Sequence, residues 1–248
     1  MSQVKLKVEL ISCTPNAEQV VAAASRLCYS DADLDALRQG VAAKDQTRFL
    51  QKLVDMGHLS PIEHASFTFG AEGVSRSLLA QITRHRIASF SVKSQRYVGM
   101  QSSDARQTFG YVVPQGVRAL GPEAVAEFEA QMAQIQGWYD GWVEKLGTKG
   151  ENGFEDARFV LPNAAETKMI FTMNARELHH FFTIRCCYRA QWEIRELAWQ
   201  MLALVKKEAP GLFAKAGPSC IDGPCPEGKM SCGRIFEVRN EYEERYGV

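Results

Sequence analysis

Residues 123–146 carry one uninterrupted helical pattern, while only short segments read as strands, so this chain must pack much helix on little sheet. Val4, Leu6, Val8 and Leu10 alternate with Lys5, Lys7 and Glu9, the pattern of a half-buried strand. Residues 66–70 and 169–173 are further strand candidates. Helical spacing recurs over residues 17–28, over 45–56 with Gly57 as the C-terminal cap, and over 75–83, 154–161 (closing at Pro162), 176–187 and 190–208. Pro114, Gly116, Gly121 and Pro122 mark a loop ahead of the long helix. The expected fold is α+β: a single helix-rich domain with a small antiparallel or mixed sheet. Residues 1–217 are expected to form that domain, with the Cys/Gly/Pro-rich residues 218–248 as an extension packed on it.

Composition narrows the function. Lys plus Arg and Asp plus Glu both number 29, so the formal net charge is zero. No global field draws the protein to nucleic acid or to an anionic membrane, and local basic patches must do any anion binding. Apolar runs such as residues 197–205, broken by Gln200, are too short to span a bilayer. The first residues alternate instead of forming an apolar signal core, so the expected location is the cytoplasm. Seven cysteines without a secretion signal read as thiols or metal ligands more naturally than as a disulfide framework. The glycine fingerprints of dinucleotide-binding and phosphate-binding loops are missing, so a bound nucleotide must be held by side chains and helix ends.

One segment concentrates the chemistry: Arg84-His85-Arg86-Ile87-Ala88-Ser89-Phe90-Ser91-Val92-Lys93-Ser94-Gln95-Arg96-Tyr97. Leu78, Leu79 and Ile82 precede it at helical spacing, so Gln81, Arg84 and His85 project together from the last turns of a helix. A basic helix end followed by a solvated loop is one reading, since cations complement the dipole there. Guanidinium forks, hydroxyls and an amide in so short a span instead suit a phosphate plus a planar heterocycle. Arg176, His180, Ile184, Arg185 and Arg189 fall on related helical positions and would line one wall of a cleft; pairing of these arginines with Glu177, Glu193 or Glu196 is the structural alternative.

The Arg-His-Arg-x-x-Ser and Ser-x-Arg-Tyr pattern resembles the signature of flavin-dependent thymidylate synthases. The resemblance extends to Gly57-His58-Leu59-Ser60-Pro61-Ile62-Glu63-His64 with Phe67-Thr68-Phe69, to Ala157-Arg158-Phe159-Val160-Leu161-Pro162, and from Asn174-Ala175-Arg176 through Arg185 to Gln191-Trp192-Glu193-Ile194, in the family's order. It implies an enzyme, a homotetramer with active sites at subunit interfaces, and reductive methylation of dUMP to dTMP. The carbon donor would be 5,10-methylenetetrahydrofolate, FAD the redox carrier and NADPH the reductant, with tetrahydrofolate released. By the same resemblance Arg185 is catalytic, favouring ionisation at N3 of the uracil and so activating C5. Gln81, Ile82, Thr83, Arg84, Val92, Lys93, Ser94, Gln95, Arg96, Arg158 and Arg185 would contact dUMP, with Ser94 and Arg96 near its phosphate. Ser60, Arg84, His85, Arg86, Val92, Asn174, Arg176 and His180 match flavin-contacting positions, and His58 is a further candidate neighbour. No metal is implied, and no nucleic-acid or membrane partner.

The match has departures. Val92 stands where members often carry Glu or Gln, Ser91 replaces a common Asn, and Arg189 stands where some members have His; each changes the ligand shell and leaves the reaction core. Cys186 and Cys187 follow Arg185 and are tempting nucleophiles, but small buried packing is the stronger reading. Cys220, Cys225 and Cys232 lie among Gly and Pro turns and read as plain thiols first, then as zinc ligands lacking an obvious fourth donor, then as a disulfide. Two other functions fit the same residues: a non-catalytic nucleotide- or RNA-binding protein using residues 84–96, which neutral net charge disfavours, and a flavoenzyme with altered pyrimidine chemistry, which Val92 leaves open.

Overall fold

A computed structural model describes residues 3–103, 107–147 and 151–247. In chain order the elements are β1 (Lys7–Cys13), α1 (Ala17–Leu27), α2 (Leu34–Ala42), α3 (Thr47–Asp55), β2 (Ser66–Ser75), α4 (Arg76–Ile82), β3 (Ala88–Val92), α5 (Gln115–Ala119), α6 (Pro122–Leu146), α7 (Glu151–Ala157), β4 (Glu166–Asn174), α8 (Ala175–Arg185), α9 (Trp192–Glu208), α10 (Pro210–Phe213) and α11 (Ile235–Tyr246). The strands form a four-stranded antiparallel sheet in the order β1-β2-β4-β3, and the class is α+β as expected. Among the described residues no helix is long and apolar enough to cross a membrane.

The chain divides into two compact units. The first comprises Met1–Lys7, Ala71–Arg84 and Phe90–Ile170. Its core gathers Met100, Phe109, Tyr111, Met132, Tyr139 and Val143 on the buried face of α6. Gly73, at φ +70°, faces the Lys5 carbonyl so closely that a Cβ would collide with it, which is why glycine stands inside β2.

The second unit comprises Val8–Gly70, His85–Ser89 and Phe171–Val248. Phe69 stacks on Phe171 at 5.5 Å, and Phe213 meets Phe67 edge-on at 5.3 Å. The tail ends in α11, which the Cys/Gly/Pro composition had hidden. Tyr242 and Tyr246 close on Trp199 of α9 at 6.2 and 5.9 Å. The Lys206 ammonium lies 4.9 Å from the Tyr242 ring, and burial pulls its pKa down to about 8. All seven cysteines are free thiols. Among the described residues no three His, Cys, Asp or Glu side chains gather where they could hold a metal ion.

Candidate active site

In the second unit α3 ends as Gly57 foretells. Gly57, at φ +72°, donates to Val54 O at 2.9 Å, and the His58 amide donates to Leu53 O at 3.1 Å, a double bond pattern that needs a left-handed residue at the turn. The turn delivers His58 and Ser60 to a cleft of about 960 Å³ whose other walls include Arg26, Tyr29 and Phe49. The Arg26 guanidinium stands 4.1 Å over the Phe49 ring. Arg176 enters the cleft from the first turn of α8, with Nη1 donating to Glu63 Oε1 at 2.5 Å. Two guanidiniums beside aromatic and aliphatic walls, at a volume typical of ligand sites, suit a group that joins a planar ring to an anion, as a flavin nucleotide does.

Helix α8 carries the second set of groups. Asn174 caps it, its Oδ1 accepting from the Glu177 amide at 2.9 Å. The Glu177 carboxylate meets His85 Nδ1 at 2.9 Å, and Arg185 Nε donates to His85 Nε2 at 3.1 Å. His85 and Glu177 are 7% and 6% exposed. Burial, with the Arg185 charge behind it, holds the His85 pKa below the usual value, while Glu177 pulls the other way. His180 is exposed and its ring lies 6.0 Å from that of His85. Arg86 is exposed on the approach to β3.

Two expectations for this region change. The helix ends at Arg185, earlier than residue 187, so Arg189 leaves the wall and donates to Met230 O in the tail. Arg176 pairs with Glu63 and not with Glu177, Glu193 or Glu196. Cys186 is fully buried, and burial pushes its thiol pKa well up, so it packs in protonated form; Cys187 is half-buried. Burial also lowers His179, whose Nε2 meets Leu212 O at 2.9 Å.

The first unit holds most residues expected at the nucleotide. Ile82 is fully buried, so its side chain is core; Thr83 Oγ1 donates back to Leu79 O at 2.8 Å, and Arg84 is exposed. Val92 closes β3 half-buried, and the Lys93 amide donates to Lys168 O at 2.9 Å. Ser94 Oγ accepts from the amides of Arg96 and Tyr97 at 3.1 and 3.4 Å, which sets the turn. Gln95 is buried and accepts from Arg76 Nη2 at 2.8 Å. Arg96 pairs with Glu155 at 2.6 Å, and Arg158 Nε donates to Glu155 O at 3.0 Å. Burial first, and the Arg158 charge second, lower the pKa of Arg76. Of these three arginines only Arg96 meets a carboxylate, Glu155, while Arg76 and Arg158 donate to neutral acceptors, so positive charge is left over that favours an anion here. Sequence reasoning gave Arg76 no role and named Glu177 only as a possible partner of the arginines; the partners they take, Gln95 and His85, are visible only in space.

The family described as thymidylate synthase complementing protein matches residues 9–211. A protein of Geobacter sulfurreducens named flavin-dependent thymidylate synthase is 51% identical over 239 residues, which are 96% of this chain and 99% of its own. The chain belongs to the flavin-dependent thymidylate synthases. Relatives of that name from Clostridium tetani and Nitratidesulfovibrio vulgaris are 47% and 44% identical over 96% and 94% of this chain, and 97% of their own. A flavin-dependent thymidylate synthase is an enzyme, and the segment 84–97 that led to the family begins just after α4 and runs through β3 to the turn at Ser94.

Proposed function

We propose that the protein converts dUMP to dTMP by reductive methylation. The uracil C5–H is replaced by a methyl group whose carbon comes from 5,10-methylenetetrahydrofolate, NADPH supplies two electrons, and tetrahydrofolate leaves. FAD, when bound, supplies the hydride relay between NADPH and the carbon being reduced. The observation that carries this reading is the cleft at the end of α3, where His58, Ser60 and Arg176, all matched to the family's flavin neighbourhood, line one space of about 960 Å³.

Arg185 is the catalytic residue in this reading. A guanidinium with a pKa above about 12 cannot take a proton, but it stabilises the anion that forms as uracil loses its N3 proton, and so enriches C5. No side-chain nucleophile is needed, in keeping with the buried, protonated Cys186. Arg76, Arg96 and Arg158 supply positive charge for the dUMP phosphate, with Ser94 and Gln95 ordering the turn. Ser60, Arg84, His85, Arg86, Val92, Asn174, Arg176 and His180 serve the flavin. Residues 1–217 form the catalytic domain, 218–248 its extension, and four copies assemble the sites at their junctions. The test is Arg185→Ala: it should leave folding and flavin content intact and abolish dTMP formation. Unchanged turnover would remove Arg185 from the chemistry.

A further inference from the structure

We propose that Glu177 and His85 are positioning residues that hold the Arg185 guanidinium in one orientation through an imidazole locked in its Nδ1–H tautomer. The inference rests on the role proposed for Arg185, but its geometry stands alone. Arg185 Nε–H can only donate, so the His85 Nε2 atom 3.1 Å away must offer a lone pair. A neutral imidazole with a bare Nε2 carries its proton on Nδ1, which then donates to Glu177 Oε1 at 2.9 Å. The other neutral tautomer would set N–H against N–H on one side and a lone pair against a carboxylate on the other. An imidazolium would bring a second cation against Arg185 in a buried place, the same repulsion that helps hold His85 neutral.

The ring has little room to turn. Phe181 packs edge-on to it at 4.9 Å and 68°, and His180 lies on another side at 6.0 Å. Glu177 is at the third position of α8, where the Asn174 cap fixes its backbone, and Arg185 ends the same helix. His85, from a different segment, therefore bridges the first and last turns of α8. With Nε held by His85, rotation of the guanidinium plane is restrained. Carboxylate partners of histidine set tautomer and ring orientation in the same way at metal sites, where losing them costs about tenfold to a hundredfold.

The test uses the full-length holoenzyme with ¹⁵N-labelled histidine. Long-range ¹H–¹⁵N spectra at pH 7, with His85→Gln to assign the signal among five histidines, should show His85 protonated at Nδ1 and bare at Nε2. Glu177→Gln, whose amide oxygen still accepts from Nδ1–H, should keep that tautomer and most of the turnover. Glu177→Leu should mix the tautomers and lower kcat for dTMP by about tenfold to a hundredfold, with KM for dUMP changed far less. An Nε2–H or doubly protonated His85 in the wild type, or a folded Glu177→Leu protein with wild-type kcat, overturns the proposal. The wild-type spectrum decides the tautomer whether or not the enzyme makes dTMP, so a failure of the relay and a failure of the proposed reaction are told apart.

Discussion

Replacing Gln136 by leucine should destabilise the first unit far more than its conservative volume suggests. Gln136 is 3% exposed on the inner face of α6. Its Oε1 accepts from the Phe109 amide at 2.6 Å, and its Nε2 donates to Met100 O at 3.0 Å and to Asp140 Oδ1 at 2.9 Å. Phe109 and Met100 are 0% and 1% exposed, so water cannot take over when the amide is gone. Two orphaned buried backbone groups cost about 1–3 kcal/mol each. Leucine recovers up to about 2 kcal/mol by burying apolar surface, so the net loss is about 2 kcal/mol from a total of about 5–15. The damage should reach the turn at Ser94, since Met100 Sδ receives Gln95 Nε2 at 3.5 Å. Urea unfolding with m-values fitted is the assay, and exposed Gln131→Leu on the same helix should move by no more than about 0.5 kcal/mol. A Gln136→Leu protein within that same margin of wild type would refute the reasoning.

Two more outcomes follow from buried groups. His85 and His179 are held below their ordinary pKa, chiefly by burial, so below about pH 6.5 the unfolded chain takes up protons that the folded chain refuses. Their contribution is complete above that pH and is lost as pH falls toward the folded values, at up to about 1.4 kcal/mol per pH unit for each; urea midpoints from pH 7.5 to 5 should fall, and His179→Gln should flatten the slope. Phe213→Ala should cost about 3–5 kcal/mol by the same urea assay, because the ring is fully buried between Phe67, Phe182 and the stacked His179.

What the chain reveals in one dimension and what it hides have physical causes. The alternation from Val4 to Leu10 reached only the first half of β1, which runs from Lys7 to Cys13 with half-buried and exposed residues alternating at its start, and Gly57 marked the end of α3 because only a left-handed residue closes that turn. Strand β3 was overlooked although Ala88, Phe90 and Val92 alternate in burial with Ser89 and Ser91; the arginines around it drew attention to charge instead of period. Helix α11 has Ile235, Val238 and Tyr242 at helical spacing, masked by the glycines, prolines and cysteines just before it. Of the cleft lining, His58, Ser60 and Arg176 stand in the family motifs, whereas Arg26, Tyr29 and Phe49 stand in none and are gathered only by the fold. The pairing of Glu177 with His85 was not legible, because a glutamate near a helix start ordinarily reads as a complement to the dipole, and the histidine lies 92 residues away.

The most direct measurement of the central claim is product formation by mass spectrometry with purified protein, FAD, NADPH, 5,10-methylenetetrahydrofolate and dUMP, repeated with each component left out. The account predicts dTMP in the complete mixture and its loss on omission of dUMP, of the folate, of the reductant, or of flavin from flavin-stripped protein. dTMP formed without flavin, or flavin retained with no dTMP, would contradict it.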